Sequence, residues 1–170
     1  EKIDRVFEAM GFADDGFEFF GGTVNTKHLV SAFNDDDAFD IDMGYRGRNQ
    51  FWFAIQDPAV ANRGGEHDGG TSPEDGQPYA TPTIANVTYI GSGALAPNAD
   101  NDLALIFRDN AGGTYYNSIF TEFAGAGIKI EDMDSGEDSR ARLDGGDLAL
   151  VSNIWWGFGA GDQLAAMAPG

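Results

Sequence analysis

A short phrase returns along this chain every 22 or 23 residues: a turn rich in Asp or Gly, then a strand in which apolar and polar side chains alternate. Asp14-Asp15-Gly16-Phe17-Glu18-Phe19 is answered 22 positions later by Asp36-Asp37-Ala38-Phe39-Asp40-Ile41. Leu105-Ile106-Phe107 is answered 23 positions later by Ile128-Lys129-Ile130. A strand repeat of this length confines the chain to architectures in which each unit buries its apolar face against its neighbours, because one unit has no core of its own.

Short strands read over residues 3–9, 17–20, 24–33, 38–41, 50–56, 83–90, 103–107, 114–123, 128–130 and 148–155, and only residues 162–167 read as a helical turn. Strand spacing alone suits a β-sandwich, which stands as the alternative. Two features favour an all-β solenoid, a right-handed parallel β-helix. The acidic turns keep step with the repeat, and Asn86 and Asn117 sit where stacked coils form an amide ladder. In that fold Phe17, Phe19, Phe39, Ile41, Phe51, Phe53, Ile55, Leu105, Phe107, Ile128 and Ile130 point inward, with Glu18, Asp40 and Lys129 outward. Residues 57–80, 92–102 and 131–144 break the pattern and read as loops; insertions at solenoid corners gather on one face, commonly the binding face.

At 170 residues the chain has the size of one domain, and a single β-helix domain over 1–170 is expected. Because Ile3 already opens a strand, the chain reads as part of a longer protein. The absence of cysteine excludes disulfides, thiolate metal sites and cysteine nucleophiles. No apolar run is long enough to span a bilayer. With 28 acidic against 10 basic residues the net charge is −18, which opposes binding to nucleic acid or to anionic membranes.

The acidic turns carry the sharpest chemistry. Asp35, Asp36, Asp37 and Asp40, one coil from Asp14, Asp15 and Glu18, stack about 4.8 Å apart if the period holds. Carboxylates so close repel one another unless a cation sits among them, and oxygen ligands in a turn suit Ca²⁺; solvated turn aspartates that cap the corners are the plainer reading. For an enzyme, Asp42, Tyr45, Arg46 and Arg48, with His67 between Glu66 and Asp68, supply the acid, base and cation that a polysaccharide lyase requires. His28 reads as a strand residue. Trp52, Tyr115, Trp155 and Trp156 exceed what a narrow lumen holds, so exposed rings that stack on sugars or bury in a protein partner are expected. Trp155-Trp156 lies where an open solenoid end recruits another chain.

Gly16 to Asn25, Asp36 to Asp40 with Gly44-Tyr45-Arg46-Gly47 and Gln50-Phe51, Asn86 to Gly93, and Asn153 to Trp156 resemble a family of secreted or surface-anchored bacterial parallel β-helix repeat proteins. The resemblance implies a pectate-lyase-like fold and an extracytoplasmic location, with no catalytic residues to carry over. The expected function is a non-catalytic extracytoplasmic scaffold with Ca²⁺ in its acidic turns, whose partners are a glycan or other envelope and surface proteins. The alternative is a polysaccharide lyase or glycoside hydrolase acting on a cell-surface or environmental glycan.

Overall fold

The computed structural model describes residues 6–70, 72–97 and 100–169, so residues 3–5 of the first expected strand lie outside the described residues. The chain visits three faces in rotation. The first coil is β1 (Phe7–Met10), β2 (Phe17–Phe20) and β3 (Thr26–Lys27), and the second is β4 (Leu29–Ala32), β5 (Phe39–Asp42) and β6 (Arg48–Gln50). Next come β7 (Phe53–Ile55), β8 (Gly65–Asp68) and β9 (Thr83–Ala85), then β10 (Thr88–Ile90), β11 (Leu103–Arg108) and β12 (Gly113–Tyr116). The last turn is β13 (Ile119–Thr121), β14 (Ala126–Ile130), α1 (Ser139–Gly145) and β15 (Leu148–Val151), before β16 (Ile154–Trp156) and α2 (Leu164–Met167).

Each strand pairs in parallel with the strand three places later. The result is one sheet β1-β4-β7-β10-β13-β16, a second β14-β11-β8-β5-β2 and a third β15-β12-β9-β6-β3. This is a right-handed parallel β-helix. Phe17 lies opposite Phe39 and Leu105 opposite Ile128, as the repeat requires. The coil is 22 residues from Phe7 to Leu29 but 35 from Phe53 to Thr88, because longer loops enter at two corners while the strands stay stacked.

The third corner, from the third sheet to the first, is the shortest. One residue turns the chain there in every coil, and all of them have positive φ: His28 (63°), Phe51 (57°), Asn86 (56°), Asn117 (54°) and Ser152 (56°). Asn tolerates this left-handed conformation better than most residues. Asn117 Nδ2 donates to Asn86 Oδ1, so the amide ladder exists, but at a corner rather than inside a strand. Each long expected strand, such as 24–33, 83–90 or 114–123, is thus two strands broken by one left-handed residue.

That corner also corrects an inward list. With Phe51 at the turn, Trp52 and Ala54 enter the lumen and Phe53 and Ile55 face out, since a shift of one residue exchanges the two sides of a strand. Trp52 (1% exposed) lies flat on Phe39, ring centroids 4.4 Å apart, and its indole Nε1 donates to Thr26 Oγ1 over 2.9 Å. Thr26 and Tyr45 in turn donate to Asn49 Oδ1. The lumen accepts large aromatics because their polar ends find partners inside it. Tyr115 (1% exposed) is likewise internal. The expectation of outward Trp52 and Tyr115 is corrected on this ground.

Residues 57–80 are not structureless: β8 runs through them. Its inward positions are Gly65, where a Cβ would stand 2.9 Å from His67 Cε1 and Leu105 Cδ2, and His67, fully buried against Phe107 with centroids 4.4 Å apart. Residues 131–144 likewise contain most of α1, capped by Asp138, whose side chain accepts from the Ala141 N–H.

Candidate functional site

The three outer faces differ in chemistry. On the first sheet the outward positions include Val30, Phe53, Ile119, Ile154 and Trp156, and the only charge among its outward strand residues is Glu8. The second sheet carries Glu18, Asp40 and Glu66 in one outward column and Asp42, Asp68 and Arg108 in the next. The third carries Lys27, Gln50, Ala85, Tyr116 and Val151 beside Arg48, Thr83, Thr114 and Ala149, with no carboxylate.

On the second sheet, the strand stacking brings Asp15, Glu18 and Asp40 together, with one carboxylate oxygen of each within 4.8 Å of the others; Asp14, Asp15 and Asp36 form an overlapping group of the same kind. Asp40 is only 9% exposed, and its Oδ1 has no hydrogen-bond partner. Burial, reinforced by the neighbouring acids, pushes Asp15 up to about 7 and Asp40 up to about 8. A buried carboxylate without a donor must hold a proton or meet a cation. Among the other candidate ligands, Asp37 is turned to structural use: its Oδ1 accepts from the Arg63 N–H over 2.6 Å, and its own N–H donates to Asp15 Oδ1 over 3.0 Å. Asp35 is exposed. Glu18, an outward residue of the repeat, completes the first set.

Later coils of the same face turn basic. A groove of about 580 Å³ is lined by Arg63, Arg108, Lys129, Glu131 and Asp132 with apolar Ile106 and Pro169. Arg108 is clamped by two acids: its guanidinium bonds to Glu66 and to both oxygens of Asp68. Those bonds raise its pKa still further, so it is a fixed cation and not a base.

The expected enzyme residues are divided. Asp42 faces out on the second sheet and Arg48 on the third, while Arg46 is exposed in the turn between them. Tyr45 is fully buried, its hydroxyl 2.8 Å from the Val24 carbonyl and 2.9 Å from Asn49 Oδ1, the two acceptors that share its one proton. His67 is inside the lumen, its ring nitrogens 3.2 Å from the Ile106 carbonyl and 3.0 Å from the Tyr115 hydroxyl, and burial lowers its pKa to about 4. Of the four expected ligand-binding aromatics, Trp156 is exposed (64%), and Trp155 is half-buried, stacked on Phe120 at the last coil. No helix among the described residues is long and apolar enough to cross a membrane.

A three-sided stack of parallel strands with one short left-handed corner per coil defines a parallel β-helix of the pectate-lyase type. The family model for the pectate-lyase like beta helix domain matches residues 3–154, and the chain belongs to that family. No curated protein and no solved structure matches the chain.

Proposed function

We propose that this chain is an extracytoplasmic, non-catalytic binding module that holds Ca²⁺ among Asp15, Glu18 and Asp40 and binds an acidic glycan along the same face. The observation that carries the reading is Asp40 Oδ1, buried without a partner beside two further carboxylates. Ca²⁺ accepts several oxygen ligands in irregular geometry, which turn and strand carboxylates supply without rearranging the coil. Arg63, Arg108 and Lys129 in the adjoining groove would meet the carboxylates of the glycan. Membership of a pectate-lyase-like family supports a carbohydrate ligand and a location outside the cytoplasm. The clamped Arg108 and the internal Tyr45 and His67 support binding over turnover.

The test is retention on immobilised polygalacturonate. Wild type should be retained more strongly in Ca²⁺ than in EDTA, and Asp40→Asn should show no difference between the two. Retention that ignores EDTA would overturn the calcium part of the reading. A second reading, a lyase, draws on Lys129, which is exposed and has no carboxylate within ion-pair distance among the described residues. New ultraviolet absorbance from unsaturated uronate, abolished in Lys129→Ala, would establish that reading instead.

A further inference from the structure

The third sheet presents the opposite chemistry. Its outer surface holds an open groove of about 450 Å³, within the span of small-ligand sites (about 300–1,000 Å³), lined by Asn25, Lys27, Arg48, Gln50, Thr83 and Tyr116. In a chain of 28 acids and 10 bases, neither outward column of this sheet contains a carboxylate. Arg63, Arg108, Arg140 and Arg142 all pair with acids, but Lys27 and Arg48 have none within ion-pair distance among the described residues. Lys27 lies instead over the exposed Phe51 ring, Nζ 5.0 Å from its centroid. The backbone N–H of Arg48 donates to Asn25 Oδ1 over 2.8 Å, which leaves the Asn25 amide N–H₂ as a donor at the rim. Tyr116, 38% exposed, gives the groove an aromatic wall.

We infer that this groove is a second, calcium-independent site for an anionic saccharide, one that bears sulfate or carboxylate groups. Two cations answer the charge, amides and the Thr83 hydroxyl answer ring hydroxyls, and Tyr116 offers a face to a sugar ring. The groove residues repeat from coil to coil about 4.8 Å apart, which suits a short run of a polymer better than a single small anion. The net charge of −18 does not forbid this, because fields beyond a Debye length, about 8 Å at physiological salt, are screened.

The experiment is calorimetric titration of the full chain in EDTA, where calcium-dependent binding on the second sheet is switched off. Three probes are used: chondroitin sulfate oligosaccharides, hyaluronan oligosaccharides of equal length, and neutral dextran. The charged probes should bind and dextran should not; the preference between the first two tells sulfate from carboxylate. Lys27→Gln/Arg48→Gln should weaken binding about tenfold or more, while Arg140→Gln/Arg142→Gln, an equal charge change on α1, should leave it unchanged. Circular dichroism and melting of the double variant, whose altered side chains are surface groups, check that it folds. No heat from either charged probe, or equal binding by the double variant, would overturn the assignment. Tighter binding of a short single-stranded oligonucleotide would overturn it too, by assigning the groove to phosphate.

Discussion

At the scale of single residues, the solenoid is decided by what each position asks of backbone and volume. The corner between the third and first sheets asks for a left-handed residue, which costs most side chains about 1–2 kcal/mol and Asn less. Ser152 occupies that corner with φ 56°, directly after Val151, which pairs with Tyr116, so it stacks beyond Asn117. Ser152→Asn should therefore extend the amide ladder and relieve strain, stabilising by about 0.5–1 kcal/mol and raising Tm by about 2 °C in a thermal melt. His67 makes a different demand. Its pKa falls from 6.5 to about 4 in the folded state, so between those values the unfolded chain takes up a proton that the native ring refuses. Its contribution is present above pH 6.5 and is lost as pH falls toward 4. The stability advantage of wild type over His67→Gln should shrink across that window in urea titrations; an advantage that grew on acidification would contradict the buried, neutral imidazole.

At the scale of elements, strands of different coils approach closely enough that glycine becomes a structural requirement. A Cβ on Gly69, just past β8, would fall 2.2 Å from the Asp109 carbonyl oxygen and 2.5 Å from the Asn110 carbonyl carbon. Gly69→Ala should destabilise by about 2–3 kcal/mol, read as a lower urea midpoint with unchanged slope. Element by element, the sequence was legible where lumen residues are apolar: β2 falls on residues 17–20 as expected, and α2 lies within 162–167. It was illegible at β8, where the inward slots hold Gly65 and His67 and the outward slots hold Glu66 and Asp68, so no apolar alternation exists to detect. Trp52 and Tyr115 were misread as external for a related reason, since hydrogen bonds to Thr26 and His67 that bring them inside join residues 26 and 48 positions apart. The acidic cluster was readable because period and turn composition coincide there. The basic groove was not, because Lys27, Arg48 and Tyr116 come from three coils.

At the scale of the molecule, the chain is a prism whose apolar, acidic and basic faces share one lumen, and the acidic face is where stability meets the proposed calcium site. Asp15 and Asp40 are raised from 3.8 to about 7 and about 8, so the folded state keeps protons that the unfolded chain releases from about pH 4 upward. Without calcium, stability should fall as pH rises from 4 through 8. With calcium that loss should be offset, because the ion takes the place of the protons. Scanning calorimetry at pH 5 and pH 8, each in Ca²⁺ and in EDTA, reads both slopes. The most direct test of the account is the pH 8 pair, run on wild type and Asp40→Asn. Saturating Ca²⁺, at about a hundredfold over its dissociation constant, should raise the wild-type Tm by about 5–10 °C. It should leave Asp40→Asn, already more stable than wild type in EDTA, unmoved. A wild-type Tm identical in Ca²⁺ and EDTA, or an equal rise in Asp40→Asn, would contradict a calcium site built on Asp15, Glu18 and Asp40.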